Sequence, residues 1–229
     1  MKTFTVENNE PIRLNKYLSD SGIVSRRKAD SLISLGLVMI NDRVAVLGDK
    51  VKNKDIISMQ LPGHAPLYAL YYKPRGEVTG KVSDLPGCEP VGRLDKESEG
   101  LLLYTNDYRV IDALLNPIHA REKEYEVVIR EKATPRVETL LKKGIRTQEA
   151  QYAPVRDIKI YEDGHRLRIT LTEGKKHEIR RMMNALNLTI VSLKRIRIMS
   201  FLIHGLTPGK LHVLSPRQIA TLHKDLGLN

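Results

Sequence analysis

The spacing of apolar residues predicts that the chain begins with two short helices. The first helix carries one apolar face and can end at Gly22. The second begins after Ser25, a residue type that caps helix N-termini. The two faces repeat at the three- and four-residue spacing of a helix, and their members are Leu14, Tyr17, Leu18, Ala29, Leu32 and Ile33. Residues 1–10 are polar, and we expect them to be frayed.

Short apolar runs then predict strands joined by tight turns. Three strands are expected before residue 60, with Asn41 and Asp42 forming the turn between the first two. Two prolines and one glycine follow within residues 60–66, a composition typical of a linker. The predicted division of the chain is therefore a small domain over 1–60, a linker over 61–66 and a larger domain over 67–229.

The pattern of the larger domain predicts an α+β fold. Strands and helices follow one another without regular alternation, which favours an antiparallel or mixed sheet flanked by helices. The expected strands are 67–72, 101–104, 127–129, 155–161, 166–171, 189–198 and 211–214. Three helices are expected to begin after the capping residues Asn106, Thr134 and Ser215, and a fourth carries the apolar stripe Ile179, Met182, Met183 and Leu186. The strand over 189–198 is expected to present one basic face, formed by Lys194, Arg195 and Arg197.

One loop concentrates the candidate chemistry. Gly92 and Gly100 bracket a charged stretch whose only aliphatic residue is Leu94, and the apolar residues after Gly100 predict a buried strand. A loop held by a buried strand suits reactive groups, because the scaffold is rigid while the loop stays accessible. Asp95 lies between the cations Arg93 and Lys96 in this loop. A solvated turn with surface ion pairs fits the same pattern.

The composition points to a polyanionic partner. Lys and Arg number 38 against 27 Asp and Glu, a formal net charge of +11, and nucleic acid is the first candidate. A merely basic protein, or one attracted to anionic lipid, fits the same balance. No apolar run approaches the length of a membrane span, and no signal peptide is recognisable, so a cytoplasmic protein is expected. Cys88 is the only cysteine, the histidines show no ligand spacing, and no glycine-rich phosphate loop occurs. We therefore predict no metal and no cofactor.

Residues 92–107 resemble a known signature. They match the pattern G-R-L-D-x-x-S/T-x-G-L-L-L-x-T-N-D of the RsuA/RluB/RluE/RluF branch of the pseudouridine synthases, and other segments look most like the RluF type. The resemblance implies that Asp95 is the catalytic residue. It also implies that Tyr125, in a K-x-Y motif, packs against the target base. Arg180, in a motif E-G-x-x-H/R-Q-I/V-R/K-R-M, would lie against the aspartate. Two residues depart from the family patterns: Glu178 replaces the usual Gln, and Tyr72 replaces an Asn before Lys-Pro.

Residues 12–58 resemble the S4 RNA-binding module. The matching segments are Arg13 to Leu18, Ser25 to Asp30 and Val38 to Asn41. Asp42 replaces the usual glycine of the turn, and aspartate tolerates a positive φ there. Arg26 and Arg27 fall in the first turn of a helix, where a phosphate would meet both the arginines and free N–H groups.

Together the two resemblances imply an RNA uridine isomerase that needs no cofactor. The residues expected to contact RNA are Arg13, Lys16, Ser25, Arg26, Arg27, Asn41, Lys73, Arg93, Lys175, Lys176 and Arg181. The expected partner is large-subunit (23S) ribosomal RNA bound by a monomer, with no membrane association. Small-subunit (16S) ribosomal RNA and tRNA remain alternative substrates, and a non-catalytic RNA-binding or ribosome-assembly protein is the alternative from a different class.

Overall fold

A computed structural model of the chain describes residues 2–8, 10–59, 65–147 and 150–228. The chain forms two compact units, one of Met1–Pro66 with Asp107–Asp112 and one of Leu67–Asn106 with Ala113–Asn229. Most of the predicted linker, residues 61–64, lies outside the described residues. A linear division at that linker does not include the return of Asp107–Asp112 to the first unit, and the predicted domain boundaries stay a prediction.

The first unit contains two helices and a small antiparallel sheet. Its strands and helices are β1 (Lys2–Thr5), β2 (Ile12–Arg13), α1 (Leu14–Asp20), α2 (Arg26–Ser34), β3 (Val38–Ile40), β4 (Arg43–Val44), β5 (Lys50–Val51) and β6 (Ile56–Met59). Four of the strands form a sheet in the order β1-β6-β3-β4, and β2 pairs with β5. Both helices bury their predicted apolar faces, and Ser25 caps α2 by accepting a hydrogen bond from the amide of Lys28.

Two expectations for this unit are wrong. Residues 2–6 are not frayed, because Lys2–Thr5 pair with β6 and Val6 is completely buried in the core. Thr3 and Thr5 alternate with Phe4 and Val6, and that period of two is the pattern of a strand. In the turn after β3 the left-handed residue is Asn41, with φ of 53°, and not Asp42.

The second unit contains most of the chain's strands. Helix α3 (Tyr108–Leu115) belongs to it from Ala113 onward. Its other elements are β7 (Tyr68–Lys73), β8 (Glu89–Pro90), β9 (Glu99–Thr105), β10 (Lys123–Ile129), α4 (Pro135–Lys143), β11 (Ile145–Arg146), β12 (Gln151–Tyr152), β13 (Asp157–Ile160), β14 (Arg166–Leu171), α5 (Glu178–Ala185), β15 (Ile190–Ile198), β16 (Phe201–Leu202), β17 (Leu211–Val213) and α6 (Pro216–Leu226).

A mixed sheet of nine strands organises this unit, and it confirms the predicted α+β class. The main order is β13-β14-β10-β15-β9-β7-β17, with β8 added to β9 and β16 added to β15. The pairing is antiparallel except between β15 and β9. Apolar side chains from the sheet, α4 and α5 form one core, in which Leu102, Val127, Leu167 and Met182 are fully buried. In the part of the chain that the structure describes, no helix is long and apolar enough to cross a membrane.

The helix starts differ from the sequence expectation at two places. Asp107, not Asn106, caps α3, since its carboxylate accepts a hydrogen bond from the amide of Arg109. The side chain of Asn106 instead accepts from the amide of Leu67 at 2.8 Å. Thr134 occupies the cap position of α4, but its side chain makes no capping hydrogen bond. Ser215 caps α6 as predicted.

Strand β15 does not present one basic face. Arg195 is only 2% exposed, and its Nε donates a 2.7 Å hydrogen bond to the carbonyl of Leu101. Consecutive side chains of a strand point to opposite faces, so Lys194 and Arg195 must lie on different faces of the sheet. The sheet continues on both sides of β15, which is why the inward-facing cation is buried.

Candidate active site

The loop that carries Asp95 is fixed on both sides of the aspartate. The amide of Ser98 donates to the carbonyl of Asp95 at 3.0 Å, closing a tight turn before β9. On the other side, the hydroxyl of Thr79 donates to the carbonyl of Leu94 at 2.8 Å and accepts from its amide at 3.1 Å. Because Leu94 is buried in the core, the backbone next to Asp95 has little freedom to move.

Two basic side chains meet the carboxylate of Asp95. The Nε2 atom of His177 lies 3.3 Å from its Oδ1, and the Nε of Arg180 lies 3.4 Å from its Oδ2. Arg180 also donates from Nη2 to the hydroxyl of Ser98 at 2.9 Å, so the guanidinium spans the turn. The Asp95 and Arg180 side chains are 34% and 29% exposed, which leaves the carboxylate reachable from solvent.

Helix α5 delivers both basic groups because of how it begins. His177 is the cap residue, in a left-handed conformation with φ of 56°, and its side chain makes no capping hydrogen bond. Its ring is therefore directed to Asp95. Arg180 follows within the first turn of the helix. Arg180 was expected beside Asp95, whereas His177 was not. His177 occupies the H/R position of the family motif, and that position could have indicated it.

The sheet register brings Tyr125 to the same end of the sheet as the Asp95 loop. Four residues lie side by side on neighbouring strands: Lys73 on β7 pairs with Gly100 on β9, Gly100 with Arg195 on β15, and Arg195 with Tyr125 on β10. Tyr125 is thus two strands, roughly 10 Å, from the residue that ends the loop. It is 9% exposed and belongs to the same apolar core as Leu94.

Lys73 was expected to contact RNA, and its burial contradicts that expectation. The side chain is completely buried, and its ammonium donates to the carbonyls of Pro74 at 2.9 Å and Glu77 at 2.7 Å. Burial lowers the pKa of Lys73, while the carboxylates of Glu77 and Asp95 oppose that shift. Lys73 thus closes the turn after β7. It was expected to contact RNA because it is charged and precedes a turn.

Two family models match the chain. The model described as RNA pseudouridylate synthase matches residues 68–185, and the S4 domain model matches residues 12–57. The chain belongs to the RNA pseudouridylate synthase family.

Relatives of this pseudouridylate synthase family extend the match over most of the chain. It is 33% identical to the Ribosomal large subunit pseudouridine synthase B of Bacillus subtilis, over 92% of this chain and 95% of the relative. It is 32% identical to the Dual-specificity RNA pseudouridine synthase RluF of Escherichia coli, over 93% of this chain and 79% of the relative. These identities do not separate the two types. A solved pseudouridylate synthase, 24% identical, covers 92% of this chain and 99% of its own with a TM-score of 0.68, which supports the fold.

Two residues that depart from the family motifs both have defined partners. The hydroxyl of Tyr72, which replaces the usual Asn, donates to the carboxylate of Glu99 at 3.3 Å. Glu178, which replaces the usual Gln, is 4% exposed at the start of α5 and accepts a hydrogen bond from the amide of Lys175 at 2.9 Å. Neither substitution leaves its side chain in solvent.

The remaining cations of the second unit divide into exposed and internally bound groups. Arg93 and Lys176 are exposed. Lys175 is exposed as well, but its ammonium bridges the carboxylate of Glu173 and the carbonyl of Gln151, both at 2.8 Å. Arg181 reaches the hydroxyl of Tyr152 at 3.4 Å. An RNA contact by Arg93 or Lys176 would cost no internal hydrogen bond, so these two fit the expectation best.

The predicted RNA contacts of the S4-like unit divide in the same way. Arg13, Lys16, Arg26 and Arg27 are exposed, and Arg26 lies 3.7 Å from the carboxylate of Asp20. Ser25 uses its hydroxyl as a helix cap. The side chain of Asn41 is bound at both ends: it donates to Asp55 at 3.2 Å and accepts from the amide of Ile56 at 2.9 Å. Ser25 and Asn41 therefore shape the unit, and the arginines and lysine stay the predicted contacts.

Proposed function

We propose that this protein converts a uridine of ribosomal RNA into pseudouridine, with Asp95 as the catalytic carboxylate. The observation that carries the proposal is the meeting of His177 and Arg180 with Asp95, at 3.3 and 3.4 Å, on a loop fixed at both sides. In the reaction the N1–C1′ bond breaks, the uracil rotates, and a C5–C1′ bond forms. C5 loses a proton and N1 gains one, so no cofactor or external group is consumed.

The arrangement around Asp95 suits either of two roles for the carboxylate. It can attack the sugar or the ring as a nucleophile, or it can take a proton from the sugar. Both roles need an ionised and oriented carboxylate, and the neighbouring side chains of Arg180 and His177 would orient it. Tyr125, at the same end of the sheet, is proposed to stack on the target base and to assist the loss of the C5 proton.

The proposed substrate is 23S ribosomal RNA, and the name carried by one of two relatives favours it. One relative is called a large-subunit synthase and the other a dual-specificity RNA synthase. The base has to leave its stack at a cost of a few kcal/mol, and phosphate contacts by the exposed cations of the S4-like unit would offset that cost. Small-subunit ribosomal RNA and tRNA are the alternatives. We also propose that the protein works as a monomer in the cytoplasm, and sedimentation with and without RNA tests the oligomeric state.

A purely RNA-binding function is disfavoured by the same site. Phosphate binding gains nothing from a carboxylate held between two basic side chains, because the carboxylate neutralises them and repels phosphate. An isomerase needs that carboxylate. The two functions therefore differ in what the removal of the Asp95 charge does: it would strengthen or spare binding in a binding protein, and it would abolish turnover in an isomerase.

Release of tritium from C5 tests the proposal. Ribosomal RNA labelled at uridine C5 is incubated with the parent protein, with Asp95→Asn and with Glu97→Gln. Glu97 is the matched control, since it lies in the same loop but, among the described residues, its carboxylate pairs with the exposed Arg75 alone, at 3.5 Å. The parent and Glu97→Gln are expected to release the label, whereas Asp95→Asn binds RNA normally and releases none. Turnover by the asparagine variant, or none by the parent on any ribosomal RNA or tRNA, would overturn the proposal.

A further inference from the structure

Two carboxyl groups meet at the start of helix α5. Glu178, the first residue of the helix, shares a hydrogen bond with the side chain of Glu173. Its Oε2 accepts from the amide of Lys175 at 2.9 Å, while among the described residues no N–H or hydroxyl donor reaches its buried Oε1. Glu173 accepts from the amide of Ala153 and from the ammonium of Lys175, both at 2.8 Å.

A hydrogen bond between two carboxyl groups requires one proton, because an ionised carboxylate can only accept. Glu173 has a lysine and an amide as donors, so Glu173 is the ionised member and Glu178 holds the proton. Burial, followed by the contact with Glu173, raises the pKa of Glu178 to about 8. Burial opposes ionisation of Glu173, but hydrogen bonds from Glu178, Lys175 and Ala153 lower its pKa.

Two hydrogen bonds between Lys175 and Glu178 close the turn that leads into the helix. The amide of Lys175 donates to Glu178, and the amide of Glu178 donates back to the carbonyl of Lys175 at 3.2 Å. Through Glu173 the same turn is tied to Ala153, just after β12. His177 lies inside this turn and Arg180 lies two residues beyond Glu178, so the turn sets the position of both side chains that contact Asp95.

Other charged groups face the pair from neighbouring elements. Lys123 on β10 interacts with Glu178, and Arg195 on β15 interacts with Lys123. Burial and then Arg195 lower the pKa of Lys123 to about 8, and Glu178 opposes that shift. Lys175 contacts both glutamates and lies 5.8 Å from the ring of Tyr152. Any pH dependence near neutrality must therefore be divided among Glu178, Lys123 and His177, the histidine of the same turn.

We propose that Glu178 is a positioning residue whose bound proton holds the turn of residues 173–178 closed, and so keeps His177 and Arg180 on Asp95. The inference rests on the proposed isomerisation. A glutamine, the usual residue here in the family motif, donates the equivalent hydrogen bond from its amide at every pH. The acid of this chain does so only while it is protonated. Loss of the proton leaves two carboxylates facing each other, and their repulsion opens the turn.

The pH profile of a single turnover tests this role. Full-length parent and Glu178→Gln are compared by tritium release on the same 23S ribosomal RNA between pH 6 and 9.5. The parent rate is expected to fall about tenfold from pH 7 to pH 9, one unit above the pKa near 8, whereas Glu178→Gln changes less than about twofold. Lys123, His177 and the RNA are unchanged in the variant. If the rate of Glu178→Gln falls with pH like that of the parent, the fall is due to Lys123, His177 or the RNA, and the inference is overturned.

A measurement that needs no turnover separates this inference from the proposed function. Carbon-13 NMR of the glutamate carboxyls in the full-length protein should show one group that titrates near pH 8 and is missing from Glu178→Gln. Titration of every glutamate below pH 6 would overturn the inference even in an active enzyme. Failure of the parent to release tritium would instead overturn the function. If Glu178→Gln does not fold, Glu173→Gln decides: its amide can donate to an ionised Glu178, so the NMR step of Glu178 should move to lower pH, and an unmoved step would overturn the inference.

Discussion

Gly100 and Arg195 face each other where the parallel strands β9 and β15 meet, and their backbones are too close for any side chain between them. A Cβ on Gly100 would lie 2.6 Å from the amide nitrogen of Arg195, and the φ of Gly100 is +118°. Arg195 in turn binds the carbonyl of Leu101. The end of the Asp95 loop is thus fixed to the sheet by a contact that only glycine allows.

Gly100→Ala should therefore destabilise the protein and its site together. We expect a loss of about 2 kcal/mol or more in the free energy of unfolding, because the methyl group strains φ and forces the two strands apart. Urea unfolding followed by circular dichroism measures it. Gly80→Ala is the matched control, since its new Cβ would come no closer than 3.8 Å to another atom and its φ is not positive. Equal stability of Gly100→Ala and the parent would mean that the strands are not in this register.

Arg180 offers a test that separates charge from geometry. Lysine at this position keeps the charge but cannot bind Asp95 and Ser98 at once, so Arg180→Lys should lower the single-turnover rate about tenfold. Methionine keeps much of the stem and removes the charge, and Arg180→Met should cost about a hundredfold or more because Asp95 loses a charged partner. Arg75→Met is the control and should stay near the parent rate, since Arg75 pairs with the exposed Glu97. A methionine variant as fast as the parent would place Arg180 outside the site.

The sequence predicted that Asp95 and Arg180 lie together because its motifs combine several residue types at fixed spacing. Asp95 and Arg180, far apart in the chain, were expected together and lie 3.4 Å apart. His177 escaped because its contact depends on a left-handed backbone at a helix start, and no apolar pattern encodes that conformation. Its neighbour Glu178 was recognised only as a departure from the motif. The contact of Glu178 with Glu173 depends on the turn between them, which the sequence pattern does not indicate.

Two cations that the sequence predicted to be accessible, Lys73 and Arg195, are buried. Lys73 and Arg195 were read as exposed because charged side chains usually are. Both lie in strands that have neighbours on each side, and both donate hydrogen bonds to backbone carbonyls: Lys73 to Pro74 and Glu77, Arg195 to Leu101. Strand alternation indicates which residues share a face, but only the order of strands in the sheet determines which face is covered.

The raised pKa of Glu178 also predicts how stability depends on pH. A folded-state pKa of about 8, above the ordinary 4.5, means that the stabilisation is complete below about pH 4.5 and is lost as pH rises to 8. Glu178→Gln removes that loss, so its stability relative to the parent should rise by up to about 1.4 kcal/mol for each pH unit in this window. The lowered pKa of Lys123, about 8, changes the free energy of unfolding only at higher pH, outside this window. Urea unfolding at pH 5 to 8 checks it, with Glu97→Gln as a control whose difference from the parent should not change with pH.

The exposed arginines at the start of α2 predict a change in the salt dependence of RNA binding. Removing two phosphate contacts by Arg26→Gln with Arg27→Gln should reduce the slope of log K against log salt by about 1.4 to 1.8. Point variants are preferable to deletion of residues 1–60. Asp107–Asp112 belong to the same unit, and the deletion would remove the core of that unit. Arg43→Gln is the matched control: Arg43 is also exposed in this unit, but it binds the carboxylate of Asp49 at 2.8 Å. Filter binding to 23S ribosomal RNA at several salt concentrations gives both slopes, and an unchanged slope in the double variant would show that this helix does not touch RNA.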